Sequence, residues 1–313
     1  MKIAILDDYQ NVALSSADWS AVAKRADITV FNDHIDQVDA LVERLLPFDA
    51  ICVMRERTPL RRDIIERLPR LRFIASTGPR NISIDMAAAN ERGILVANTG
   101  YRSTPTIELT WALILASARH LVGESNSIRA GGWQTSVGHE LDGRILGVLG
   151  LGNVGGQVAR IGRALGMKII AWSQNLTAET AAAAGADLVT KDELFRRADI
   201  VTIHLILSER TRGLVGAAEL ALMKPTARLV NTSRGPIVDE QALIEVLRAR
   251  AIAGAAVDVF DTEPLPAQHP FRSLDNVLAT PHIGFVAEDL YRTFYGDAAV
   301  AIGAWIETQA PSP

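Results

Sequence analysis

Short apolar runs recur through the first hundred positions at intervals of about 20 residues: KIAIL, ITVF, AICVM, LRFIAS and ILVANT. Between them lie stretches such as VDALVERLLP and RRDIIERLP, whose apolar residues fall at helical spacing. Strand-like runs alternating with helices predict a parallel sheet, because parallel neighbours need a long crossover rather than a tight turn. A long helical stretch, IELTWALILASARHLVGESNSIRAGG, then leads to a second series: RILGVLG, KIIAWS, ADIVTIHL, ARLVNTS, GAAVDVF and NVLATPH. Beyond the last of these runs the helical stretch AEDLYRTFYGDAAVAIGAWIETQ, which could pack back on the first sheet and make that domain discontinuous. The pattern predicts an α/β protein of two doubly wound units.

The junction between the first two runs of the second series carries GVLGLGNVGG, with glycines at 150, 152 and 155 and with Asn153 and Val154 opening the helix. In a strand-turn-helix setting each glycine has a separate task. Gly150 allows a tight turn, Gly152 lets a pyrophosphate approach the helix N-terminus, and Gly155 allows the helix to press on the strand. The flanking apolar run, the amphipathic VGGQVARIGRAL and the following KIIAWS supply that setting, which a bare glycine spacing lacks. A dinucleotide is expected at the carboxyl ends of the second sheet, in a cleft between the domains.

Composition narrows the functional classes. A chain of 313 residues can hold two cores, and a net charge of -4 without a basic block disfavours nucleic acid as a partner. The single cysteine, Cys52, lies in an apolar run, which removes disulfides and cysteine-rich metal sites. The six histidines are widely separated and lack paired ligand spacing, so no metal is expected. MKIAIL enters a strand directly and no long apolar window follows, so a cytoplasmic protein without a membrane partner is expected.

Three polar clusters end three successive strands of the second series: NTSRGPIVDE, VDVFDTEPLP and ATPHIG. Carboxyl strand ends are where a doubly wound fold gathers ligand-contacting groups. Arg234 could clamp a carboxylate through its planar fork, or hold its loop by an ion pair. His282 could exchange a proton with a substrate oxygen while Glu263 holds its other ring nitrogen; a structural histidine and a surface turn acid are the plainer readings. Asp258 could accept a hydrogen bond from a nicotinamide carboxamide, or serve as a loop or cap acid.

The ordered set GVLGLGNVGG, HLILSERTRGLV, LMKPTARLVNTSRGPIVDE, GAAVDVFDTEPLP and TPHIGF resembles the D-isomer-specific 2-hydroxyacid dehydrogenases over nearly the whole chain. This family includes glyoxylate/hydroxypyruvate reductases, D-lactate dehydrogenases and D-3-phosphoglycerate dehydrogenases. The resemblance implies a catalytic set of Arg234, Glu263 and His282, reversible hydride exchange between NAD(P)H and a 2-keto acid, and a D-2-hydroxy acid product. It also implies coenzyme contacts from His204, Thr232, Ser233, Asp258 and Gly284 besides the glycine turn. In architecture it implies a flavodoxin-like substrate domain built from 1–101 and 285–313, a coenzyme domain over 102–284, and a homodimer formed through the coenzyme domains.

Two segments depart from the family pattern. After KIIAW come Ser173, Gln174 and Asn175, where an NAD-preferring member commonly places an acid to hold the ribose hydroxyls. That leaves NAD and NADP both open, since no acid repels a 2'-phosphate and no arginine immediately follows to pair with one. In STGPRNISID, Gly78 fits the first glycine of the family's substrate loop, but Pro79 has no amide hydrogen and Arg80 replaces the second glycine. Arg80, or Arg55 and Arg57 in MRERTPL, could reach the substrate or form surface ion pairs. Tyr291, Phe294 and Tyr295 read as core with one candidate pocket residue, and Trp133 as an interdomain or dimer anchor. Glu263 argues against a formate dehydrogenase, in which glutamine partners the histidine. The chain is short for the regulatory domain of many D-3-phosphoglycerate dehydrogenases, and a dinucleotide-sensing corepressor is the alternative outside enzymes.

Overall fold

The computed structural model describes residues 1–309. The chain forms two compact units, one of Met1–Arg102 with the segment from Val286 onward, the other of Ser103–Phe285.

The first unit holds strands β1 (Lys2–Ile5), β2 (Asp27–Val30), β3 (Ala50–Val53), β4 (Phe73–Ser76) and β5 (Leu95–Asn98). They form an all-parallel sheet in the order β2-β1-β3-β4-β5, the flavodoxin-like arrangement. Helices α1 (Ser20–Ala23), α2 (Val38–Leu45), α3 (Arg62–Ile65) and α4 (Met86–Glu91) connect the strands. Strands β3 and β4 are buried at every position, which is why AICV and FIAS read as continuous apolar runs rather than alternating ones. The final helix of the chain, which is α12 (Glu288–Thr308), packs on this sheet through a stripe that includes Leu290, Phe294, Ala298, Ile302 and Trp305. Trp305 stacks on Phe73 with ring centroids 5.3 Å apart. Tyr291, Phe294 and Tyr295 are likewise buried in this unit.

The second unit begins with α5 (Thr104–Ala118) and α6 (Leu121–Arg129). Its strands are β6 (Ile145–Leu149), β7 (Lys168–Trp172), β8 (Asp187–Leu188), β9 (Ile200–Ile203), β10 (Arg228–Asn231), β11 (Gly254–Val257) and β12 (Val277–Ala279). The helices between them are α7 (Asn153–Ala164), α8 (Ala178–Ala183), α9 (Lys191–Arg197), α10 (Ala217–Leu222) and α11 (Glu240–Arg248). The parallel sheet runs β12-β11-β10-β9-β6-β7-β8, so strand order reverses between β6 and β9. Alternate residues feed opposite faces: Leu146, Val148, Ile169 and Val230 enter one core with α5 and α7, while Leu149, Ile170, Val201 and Leu229 enter the other. Helices cover both faces, as a parallel sheet requires.

Two local features differ from the sequence reading. The single long helix expected after residue 106 is two helices, because His120 takes a left-handed backbone (φ 53°) between α5 and α6. The sheet also has an edge strand, β8, whose two residues are too short to leave a periodic signature.

Candidate active site

The reversal of strand order sets the ends of β6 and β9 side by side, and the glycine turn sits there. Gly150 has φ 99°, and a Cβ on it would come within 2.8 Å of the His204 carbonyl oxygen at the end of β9. At Gly155 a Cβ would lie 2.0 Å from the Gly150 carbonyl, so any side chain would push α7 off the strand. Gly152, the N-cap of α7, behaves differently: a Cβ there would meet nothing within 4 Å. That helix start has no side-chain cap and no acid in its first turn, which leaves the N–H groups of Asn153, Val154 and Gly155 for an anion. Open space at Gly152 over an uncapped helix start fits a dinucleotide pyrophosphate.

Around this turn the polar side chains hold the scaffold. The Thr232 hydroxyl bonds the Thr110 hydroxyl at 2.7 Å, and the Ser233 hydroxyl donates to the Leu205 carbonyl. His204 turns back onto its own strand, Nε2 lying 2.9 Å from Thr202 Oγ1, and burial lowers its pKa to about 3. The ring is therefore neutral at neutral pH, and it presents no cation to a phosphate. Ser173 is half-buried just past β7, with Gln174 and Asn175 exposed after it.

Residues at the ends of β10, β11 and β12 form the second half of the site. His282 Nδ1 lies 2.5 Å from Glu263 Oε2, and the other Glu263 oxygen accepts the Phe260 N–H at 2.9 Å. A carboxylate fastened to the backbone thus makes Nδ1 the donor nitrogen and leaves Nε2 as the ring atom not engaged by Glu263. The ring packs edge-on against Phe285, centroids 5.3 Å apart. His282 itself has φ 51°, a left-handed conformation held by Asp258, whose carboxylate accepts the Ile283 and Gly284 N–H groups at 2.8 Å each and the Thr280 hydroxyl at 2.6 Å. Burial raises the pKa of Asp258 and these donors oppose the rise. Gly284 completes the turn by accepting from Thr106 Oγ1 at 3.0 Å.

Arg234 follows β10, and its backbone carbonyl accepts the Asn231 amide at 3.0 Å while its Nη1 donates to the Ser233 carbonyl at 2.8 Å. The next residue, Gly235, lies so close to Phe260 that a Cβ would be 2.1 Å from the Phe260 carbonyl carbon. This contact presses the arginine turn against the turn bearing Glu263. Arg234, Glu263 and His282, distant in sequence, thereby share one end of one sheet.

Sequence reasoning missed a support for that arrangement. Glu240, the first residue of α11, accepts the Asp261 N–H at 3.2 Å through one oxygen and lies 3.0 Å from His269 Nε2 through the other. It ties the Glu263 turn to α11. The available signal was the acid following Asp239 in VDE, but nothing local showed what it would touch.

In the first unit, Gly78 has φ 88° and its N–H donates to Thr99 Oγ1 at 2.7 Å. A Cβ at Gly78 would collide with Arg55 Nη1, so the glycine makes room for that arginine. Arg55 is itself left-handed (φ 53°), lies over the Tyr101 ring at 5.1 Å, and receives the Asn81 amide on its carbonyl at 2.6 Å. Pro79 and Arg80 are exposed at the tip of this loop.

An uncapped glycine turn at a strand-order reversal, beside a histidine-carboxylate pair and an arginine, defines a dinucleotide-binding unit of the kind found in hydride-transferring enzymes. Residues 111–284 match the NAD binding domain of the D-isomer specific 2-hydroxyacid dehydrogenases, and the chain belongs to this family. It is 44% identical to a glyoxylate reductase of Aeropyrum pernix over 70% of this chain and 69% of that one. It is 40% identical to a D-3-phosphoglycerate dehydrogenase of Methanocaldococcus jannaschii over 80% of this chain, a match spanning about half of that longer protein (48%). Among solved structures, a phosphoglycerate oxidoreductase from Vibrio cholerae O395 superposes with a TM-score of 0.93 at 38% identity, covering 98% of this chain and 99% of that one. Among the described residues no group of histidine, cysteine or acid side chains could hold a metal ion, and no helix is long and apolar enough to cross a membrane.

Proposed function

We propose that this chain is a reversible, NAD(P)-dependent reductase of 2-keto acids that yields the D-2-hydroxy acid. Its second unit is the coenzyme domain and its first unit the substrate domain. The observation that carries the reading is the 2.5 Å pair of His282 Nδ1 and Glu263 at the strand ends where Arg234 also sits. A bound reduced nicotinamide supplies the hydride for the carbonyl carbon. Arg234 takes the substrate carboxylate in its two-pronged fork and draws charge toward the carbonyl. Protonated His282 donates from Nε2 to the carbonyl oxygen as that oxygen gains charge, and Glu263 stabilises the imidazolium before transfer. One hydride and one proton convert the ketone to the alcohol, so the balance closes with oxidation of the coenzyme. Glyoxylate, hydroxypyruvate and a bulkier 2-keto acid are the candidate substrates; the Aeropyrum pernix relative is named a glyoxylate reductase and a Thermotoga maritima relative a hydroxypyruvate reductase.

The exposed polar tip at Gln174 and Asn175, with Ser173 beside it, supports use of both NADH and NADPH. Placing a carboxylate there in Ser173→Asp adds a like charge near a 2'-phosphate. Repulsion of about 1 kcal/mol even in water-like surroundings corresponds to a fall of roughly fivefold or more in kcat/KM for NADPH relative to NADH. An unchanged ratio in initial-rate kinetics would remove Ser173 from the coenzyme's ribose end.

A homodimer through the coenzyme domain is part of the same proposal. Helix α6 buries none of its residues, and Leu121, Val122, Ile128, Trp133 and Val137 are exposed on it and on the segment after it. A second copy of this chain is the occupant the family resemblance implies for such a surface. Trp133→Glu is expected to shift the sedimentation coefficient from dimer toward monomer; wild-type protein sedimenting as a monomer at micromolar concentration would reject the dimer.

A further inference from the structure

Arg228 opens β10 at the end of the second sheet opposite the glycine turn and the catalytic set. Positions in a parallel sheet covered on both faces ordinarily take apolar residues, yet this arginine is only 8% exposed. The neighbouring strand makes room for it: a Cβ on Gly254, its register partner, would come within 3.0 Å of Nη1. Nη2 lies 3.4 Å from His120 Nε2, the sole hydrogen-bond partner of the guanidinium among the described residues. No carboxylate of the described residues lies within 4.0 Å of the guanidinium, and burial is the one cause depressing its pKa. Asp199, at the same end of the sheet, is engaged elsewhere: it accepts the Ile145 N–H at 2.8 Å and pairs with Lys224 Nζ at 2.8 Å.

The guanidinium borders a cavity of about 70 Å³ whose wall also carries His139 and Arg144. This exceeds the roughly 10–15 Å³ that one water needs by the same kind of measure. Glu140 and Arg144 stand exposed at the wall and oppose each other in sign; Asp199 also lines it, but its carboxylate is held by Lys224, so Arg228 is the buried charge at the wall that has no ionic partner. A buried cation lacking a counter-charge is costly, and proteins meet that cost by pairing it. We propose that this cavity is a binding site for a small oxyanion of the phosphate or carboxylate class, held by Arg228 and flanked by His120, His139 and Arg144. The site is independent of the dehydrogenase reading, because it lies at the other end of the sheet from the coenzyme turn. A planar guanidinium with free N–H groups suits two oxygens of one anion.

The test uses inorganic phosphate on the full-length protein saturated with reduced coenzyme, so that the glycine turn cannot take the probe. Thermal midpoints are followed against phosphate and against chloride at matched ionic strength, for wild type and Arg228→Met. Phosphate is expected to raise the wild-type midpoint beyond chloride, and Arg228→Met is expected to lose apparent phosphate affinity by about tenfold or more. An equal response in the variant would place the anion elsewhere, and a wild-type response no larger than chloride's would leave the cavity to water and overturn the proposal. If Arg228→Met does not fold, Arg144→Gln with His139→Asn must weaken the phosphate response, and an unweakened response counts against the site. A carboxylate from a second copy could fill the cavity instead. In that case phosphate has no effect and Arg228→Met weakens the dimer in sedimentation, which also overturns a free-anion site.

Discussion

His282→Asn is expected to lower kcat for 2-keto acid reduction by about 10²–10⁴-fold, the range that a positioned general acid contributes. Asparagine is the informative replacement because His282 has φ 51°, a left-handed backbone that asparagine tolerates and alanine does not favour. Its side chain cannot deliver a proton near neutral pH. Coenzyme affinity, read by quenching or transfer of nucleotide fluorescence, should stay near wild type, because the glycine turn is untouched. Near-normal kcat in a folded variant would show that the proton comes from another group. A loss of coenzyme binding would instead point to collapse of the turn held by Asp258.

Arg234→Ala carries the second large effect. Losing two charge-assisted hydrogen bonds of about 1.5–3 kcal/mol each should reduce kcat/KM for carboxylate substrates by roughly 10²–10⁴-fold. Arg234→Lys keeps the charge but loses the planar fork, so it should recover only part of that loss. If the alanine variant retained its kcat/KM, Arg234 would be a loop-fixing residue and the carboxylate would have to be held elsewhere. The fold itself should survive both changes, since the Asn231 amide bonds the backbone carbonyl of residue 234 rather than its side chain.

The parts of the molecule that were readable from sequence are those that local periodicity encodes. AICV, FIAS and GAAV became strands because parallel strands buried on both faces must be continuously apolar, and each of their positions is buried. Gly150 and Gly155 were readable because their tasks are steric and act within a few residues, as the contacts a Cβ would make show. What escaped depends on partners distant in sequence. Gly78 fits the first glycine of the family's substrate loop, but its amide is committed to Thr99 across 21 positions. The Thr232 hydroxyl meets Thr110 across 122 positions, and Glu240 reaches His269 across 29. Nothing in the run ARLVNTS signals that the Arg228 side chain is enclosed beside Gly254. The helix break at His120 was equally hidden, because a left-handed residue other than glycine has no strong local signal.

The most direct test of the proposed chemistry is the initial rate of reduced-coenzyme consumption by the purified protein, measured for a panel of 2-keto acids with NADH and with NADPH. Turnover of at least one acid, with the D enantiomer of the hydroxy acid as product and with His282→Asn strongly impaired, is the expected result. Tight coenzyme binding with no turnover of any acid in the panel would contradict a 2-keto acid reductase and favour a dinucleotide-sensing binding protein.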